Sequence, residues 1–163
     1  MSKIGRFFKK IQPYLLFSAL SLGVGLLSAL LTKNNMSLYD EVVTPPPAPP
    51  GWLFPAAWSA LYLLMGIGAA KVFVRRSENP PAAKDSFAFF GMNLFINFAW
   101  SIIFFNYRAF WFAFVWLLLL LAVIIRMTVA FSRVSKTAAY LQIPYIAWVT
   151  FAGYLCAGIA ILN

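Results

Sequence analysis

Three stretches of the chain put polar and aromatic side chains on single helix faces. In "FFGMNLFINFAWSIIFF", Asn93, Asn97 and Trp100 fall at i, i+4 and i+7, so one face presents two amides and an indole. In "LQIPYIAWVTFAGYLCAGIAILN", Tyr145, Trp148, Ala152 and Cys156 form one stripe, and in "GWLFPAAWSALYLLMG", Trp58, Tyr62 and Met65 align in the same way. Amides in so apolar a setting must be paired, so these faces look inward. Two readings fit them: hydrogen bonding between helices, or contact with the polar edge of a bound molecule. Three stripes of this kind can enclose a flat apolar ligand with polar edges.

Other chemistry is excluded by what the chain lacks. It has no histidine, and its carboxylates, Asp40, Glu41, Glu78 and Asp85, all lie in polar connections. That removes the usual ligands of a metal site, the proton relay of a coupled transporter, and paired-carboxylate or His-assisted catalysis. No metal and no required cofactor is expected. The single cysteine, Cys156, rules out an intrachain disulfide.

The elements that position these faces are membrane spans. Of 163 residues 63% are hydrophobic and only 10% charged, and apolar runs cover about 14–32, 52–74, 86–107, 109–132 and 138–162. Each is near the roughly 20 residues that a transmembrane helix needs, and period-two alternation is absent. The expected fold is an all-α bundle of five transmembrane helices in one domain, 1–163, multi-pass in a bacterial cell membrane. "SKIGRFFKK" resembles the start of a signal peptide, but the apolar run after it exceeds a signal core and "SALLTKNN" is a poor cleavage site, so span one is retained.

The net charge of +9 is read as orientation, and no nucleic-acid partner is expected. Lys3, Arg6, Lys9, Lys10, Lys71, Arg75, Arg76, Lys84, Arg133 and Lys136 collect on one side, against Lys33 and Arg108 on the other. The amino terminus is therefore predicted inside and the carboxyl terminus outside. Arg126, within span four, lies near the inner end and is expected to snorkel to the interface.

The first connection, 33–51, lies outside and contains "TPPPAPP". As polyproline II, Pro45 to Pro50 cover about 18 Å, enough to hold a stiff lid across the mouth of a small bundle. Trp52, Trp111 and Trp116 are expected as interfacial anchors, and Pro144 is expected to kink span five. Gly66 with Ala70, and Gly153 with Ala157, have the spacing for close helix approach, within one chain or across a homodimer.

"PPGWLFPAAWSALYLLMG", the pattern "NxxxNxxWSxIFF" from Asn93 to Phe105, and "PYIAWVTFAGYL" from Pro144 to Leu155 resemble the TspO/MBR family of tryptophan-rich sensory and translocator proteins. The resemblance covers all five spans in order. It implies a five-helix bundle, usually dimeric, with the first loop folded over a pocket. It also implies binding of porphyrins such as protoporphyrin IX and haem, of sterols, or of isoquinoline carboxamide and benzodiazepine drugs. By motif position the ligand contacts are Tyr39, Asn93, Asn97, Trp100, Tyr145 and Ala152, joined by Trp58, Tyr62 and Trp148 of the stripes above. Leu38, Thr44, Pro47 and Cys156 depart from the family pattern, two of them where the loop usually has Trp. Trp58 is therefore expected to matter more than the lid.

Three functions follow from the resemblance. The first is a receptor or sensor that binds a tetrapyrrole between the helices. The second is light-dependent oxidative porphyrin degradation, in which Trp58 and Trp148 supply an oxidisable indole. The third is transport of a tetrapyrrole or sterol-like molecule across the bilayer.

Overall fold

A computed structural model of the chain describes the backbone of residues 3–163 and side chains from Lys10 onward. The side chains of Lys3, Arg6 and Lys9, part of the orientation argument, lie outside the described residues. The elements are α1 (Lys3–Thr32), a 3-10 turn (Lys33–Asn35), α2 (Leu38–Glu41), α3 (Leu53–Val74), α4 (Pro80–Ser101), a π-helical turn (Ile102–Asn106), α5 (Phe110–Ser132), α6 (Lys136–Tyr140) and α7 (Ile143–Leu162). Among the described residues, five helical stretches are long and apolar enough to cross a membrane: Lys10–Asn35, Leu53–Val74, Pro80–Asn106, Phe110–Ser132 and Lys136–Leu162.

Local chemistry sets the helix ends where hydropathy does not. α4 begins at Pro80, ahead of the apolar rise at 86, because the Asn79 side chain accepts from the Ala82 N–H at 3.3 Å and Pro80 and Pro81 occupy the first turn. Pro144 does not kink a continuous helix, as its position in the apolar run suggested. The helix stops at Tyr140 and restarts at Ile143, which puts Pro144 in the first turn of α7, where its missing N–H is harmless. α4 runs into a π-helical turn, with the Tyr107 N–H reaching back to the Ile102 carbonyl at 3.2 Å. Arg108 then reverses the chain with a left-handed φ of 51°.

The helices close into a ring in which α1 packs on α3 and α4, α4 on α5, α5 on α7, and α3 on α6. Small residues permit the closest approach. A Cβ on Gly66 would lie 2.6 Å from the Ser18 Cα of α1, and one on Gly25 would lie 2.5 Å from the Tyr62 ring of α3. Gly153 packs toward Leu117 of α5, 3.6 Å from such a Cβ. Of the two glycines with small-residue spacing, Gly66 is thus used for close approach inside the chain, whereas Gly153 makes only an ordinary contact there. At the basic end, Phe17 of α1 stacks on Phe87 at 5.7 Å and meets Phe73 and Phe90, joining three helices. Leu15, Leu16, Leu26 and Leu30 face outward, as lipid contact requires. Arg126 is exposed on α5 with its guanidinium 5.8 Å from the centroid of the Phe89 ring.

Gly66→Ala is expected to lower the thermal midpoint in detergent, since forcing a methyl against backbone costs about 1–3 kcal/mol. Gly91 has nothing within 4 Å of its would-be Cβ, so Gly91→Ala should hold or raise the midpoint through helix propensity. Equal responses of the two variants would contradict this packing.

Candidate ligand pocket

A cavity of about 530 Å³ lies between the helices at the end that carries the first loop. Gly25, Ser28, Ala29 and Thr32 of α1, Trp58 and Tyr62 of α3, Asn97 and Trp100 of α4, Phe104 and Phe105 of the π turn, and Ala152, Leu155, Cys156 and Ile159 of α7 form its walls. Met36, Ser37, Tyr39, Asp40, Gly51 and Trp52 close it above.

The floor is a chain of buried hydrogen bonds. The Asn97 amide donates to the Tyr145 hydroxyl at 2.9 Å, that hydroxyl donates to the Asn93 Oδ1 at 2.9 Å, and the Asn93 amide donates to the Met65 Sδ at 3.0 Å. Asn93, Asn97 and Tyr145 are 0%, 1% and 0% exposed. Hydrogen bonding between helices is therefore the role seen for both amides, and of the two only Asn97 reaches the cavity. Asn93 and Tyr145 tie α3, α4 and α7 together below the cavity, whereas Asn97 belongs to the network and also borders the cavity.

Trp58 is central to the walls. Its ring lies 6.0 Å from Tyr62, 6.4 Å from Trp100 and 6.1 Å from Tyr145, and Trp100 stacks on Phe104 at 5.3 Å. Trp148 does not reach the cavity. It packs edge-on behind Phe54 at 5.8 Å, and Phe54 meets Tyr39 of the lid at 4.8 Å on its other side. Trp148 thus meets the pocket through one intervening ring. The indole N–H groups of Trp100 and Trp148 are buried without a hydrogen-bond partner.

The structure thus brings Tyr39, Trp58, Tyr62, Asn97, Trp100 and Ala152 to one cavity, and leaves Asn93, Tyr145 and Trp148 behind its walls. The sequence reading missed the α1 wall. Ser21, Gly25, Ser28 and Thr32 recur at i, i+4, i+7 and i+11 in a leucine-rich run, a small and polar stripe that marks an inward face. It also missed Phe54, Phe104 and Phe105. Trp111 and Trp52 are exposed, in keeping with interfacial anchors. Trp116 is not free at an interface, because its Nε1–H donates to the Ile96 carbonyl at 2.8 Å and clamps α5 to α4.

The lid is held at several points. Arg108 pairs with Glu41 at 2.9 Å, Asn35 donates to Asn106 at 2.8 Å, and Tyr39 donates to the Pro49 carbonyl at 3.0 Å. The Asn163 side chain exchanges two 3.0 Å hydrogen bonds with the backbone of Val43. The proline run does not cross the mouth. Pro45 seats against Gly158 of α7, where a Cβ would collide with its ring, and the Tyr154 hydroxyl donates to the Pro46 carbonyl. Residues on either side of the prolines form the roof. Burial first, and the adjacent Asp40 carboxylate second, raise the Tyr39 phenol above its ordinary pKa, so at neutral pH it is a neutral donor.

Five membrane-spanning helices around a lidded, aromatic-walled cavity define a multi-pass integral membrane protein whose interior opens at one end of the bundle. The profile of the TspO/MBR family matches residues 17–162. Tryptophan-rich protein TspO of Chlorobaculum tepidum is 35% identical over 95% of this chain and 98% of its own. Protein CrtK of Rhodobacter capsulatus is 37% identical over 77% of this chain and 78% of its own. The translocator protein of Bos taurus is 34% identical over 83% of this chain and 80% of its own. The chain belongs to the TspO/MBR family.

Tyr145→Phe is expected to lower stability by about 1–2 kcal/mol, because it removes one interhelical bridge and leaves the Asn93 carbonyl without its donor. Glu41→Gln, which breaks a half-exposed ion pair, should change it by less than about 1 kcal/mol. Thermal unfolding in one detergent compares the two; a silent Tyr145→Phe would mean the bridge does not hold the helices.

Proposed function

We propose that the protein is a membrane receptor or sensor that binds a flat, largely apolar ligand of tetrapyrrole type in the cavity beneath the first loop. The observation that carries this reading is the cavity itself. Its volume of about 530 Å³ falls in the range of small-molecule sites, about 300–1,000 Å³. Its walls combine the broad faces of Trp58, Trp100 and Phe104 with a few polar groups, of which Asn97 lies at the floor and Tyr39 at the roof. Aromatic faces of this kind suit a flat ring through offset or edge contacts. Isoquinoline carboxamide or benzodiazepine drugs fit the same description. Membership of the TspO/MBR family, with relatives named for tryptophan richness and for translocation, supports a sensing or translocating role.

The reading includes an orientation. The amino terminus lies inside and the lid outside, because Arg75, Arg76, Arg133 and Lys136 flank the connections at one end of the bundle, whereas Lys33 and Arg108 flank those at the lid end.

One observation favours a second reading, light-dependent breakdown of a bound porphyrin. Trp58 borders the cavity and lies within 6.4 Å of Trp100, so an oxidisable indole faces any ligand there. Loss of porphyrin absorbance that requires both light and oxygen, and slows in Trp58→Phe, would support it. Equal loss in protein-free detergent would sink it.

Tryptophan quenching by protoporphyrin IX tests the main reading. It should saturate in the parent protein, and Trp58→Ala should weaken the apparent affinity at least about tenfold, as expected for loss of a large buried aromatic contact. Trp148→Ala, removed from the cavity by Phe54, should weaken it much less. Parent-like affinity in Trp58→Ala would place the ligand elsewhere.

A further inference from the structure

Most hydroxyls that line the cavity are already engaged, since those of Ser28, Thr32, Ser37 and Tyr39 each donate to a protein oxygen. Below the roof, four lining residues carry a donor that has no partner among the described residues: Trp58, Tyr62, Trp100 and Ser101. Trp58 and Ser101 are only partly buried, and the Trp100 Nε1–H is sealed inside the wall. Tyr62 is different. It is 5% exposed, and its unpartnered oxygen is not sealed off as the Trp100 nitrogen is, so the space it meets is the cavity that Tyr62 lines. Its depth follows from α3, on which it lies one turn below Trp58 of the wall and one turn above Met65, the end of the buried network. Gly25 of α1 makes room for the ring, since a Cβ there would lie 2.5 Å from it. For folding alone, a buried hydroxyl without a partner only destabilises.

We propose that the Tyr62 hydroxyl is a specificity-determining donor that holds a neutral acceptor, such as a ketone or ester carbonyl, on the inner edge of the ligand. The proposal rests on the reading of the cavity as a ligand pocket and adds which edge of the ligand goes in first. A ligand with an alkyl inner edge would strip water from the hydroxyl and return nothing, so the unmatched donor disfavours it. An ionised carboxylate is disfavoured there as well, because one hydroxyl does not replace the hydration of a charge at mid-depth. Charged groups of a ligand therefore stay toward the lid. One neutral hydrogen bond of this kind is expected to be worth about three- to tenfold in affinity.

The test compares two porphyrins on the full-length protein in nanodiscs of phosphatidylcholine. Mesoporphyrin dimethyl ester and diacetyldeuteroporphyrin dimethyl ester share one ring and differ in having ethyl or acetyl groups at the same edge. In the parent protein the acetyl form should bind about three- to tenfold tighter by tryptophan quenching, and an acetyl C=O stretch should move to lower wavenumber on binding. Tyr62→Phe keeps the ring and removes the donor. It should bring the two affinities together and abolish the shifted band, while the thermal midpoint of the unliganded protein stays level or rises. A preference and a shifted band that persist in Tyr62→Phe, or that are absent from the parent, would overturn the assignment to Tyr62 and leave the pocket standing. So would a midpoint that falls as far as in Tyr145→Phe, since the hydroxyl would then be bonded within the protein. Failure of both porphyrins to bind saturably would remove the pocket reading, and this proposal with it.

Discussion

Everything in this fold depends on pairing polar groups where there is no water. Helices in lipid gain little from hydrophobic association, since the solvent is as apolar as their side chains. What joins α3, α4 and α7 at mid-depth is one phenol, Tyr145, which accepts from Asn97 and donates to Asn93, while Asn93 reaches Met65. A single interhelical hydrogen bond in a membrane is modest, about 0.6 kcal/mol on average. A string of them with every member buried is harder to break, because opening any link strands a polar atom in hydrocarbon. The network also divides the bundle in depth. Toward the basic end, Phe17, Phe87 and Phe90 close the core; on the other side the helices stand apart and the cavity begins.

The lid follows a different physics because it lies at the watery end. Its ion pair, Arg108 with Glu41, is about half exposed on both sides and contributes little alone. The proline run does more by geometry than by energy. Proline restricts the unfolded chain as well as the folded one, so holding Pro45 in the Gly158 socket costs little conformational entropy. With that strap anchored on α7 and clipped by Asn163, Met36, Ser37, Tyr39 and Asp40 are left as part of the roof of the cavity. Tyr39, Phe54 and Trp148 then form an edge-to-face series from roof to α7, so lid, α3 and α7 share one aromatic seam.

Much of this was legible in the residues. The five-helix bundle follows from hydropathy alone, and helical periodicity was enough to set Asn93, Asn97 and Trp100 on one face and Trp58 with Tyr62 on another. Periodicity gives direction but not depth along the bundle, which is why it could not separate Asn97, at the cavity, from Asn93, one turn below it. It put Trp148 on the stripe of Ala152, and only the position of Phe54 on a neighbouring helix shows that a ring intervenes. The helix restart at Ile143 was hidden because an apolar run looks continuous whether or not its backbone is. Trp116 looked interfacial because the carbonyl that takes its N–H belongs to another helix. The α1 wall was readable in principle from its small and polar stripe, but the surrounding leucines masked it.

The central claim is that one cavity, beneath the lid and above the Tyr145 network, holds the ligand. Cys156 offers a direct test, since it is the only cysteine in the chain and lines that cavity one turn from Ala152. The measurement is the rate at which a small neutral methanethiosulfonate modifies Cys156 with and without saturating protoporphyrin IX dimethyl ester. The account predicts that the ligand slows modification several-fold in the parent protein and has no such effect in Trp58→Ala at the same concentration. A rate unchanged by ligand that is demonstrably bound would contradict it.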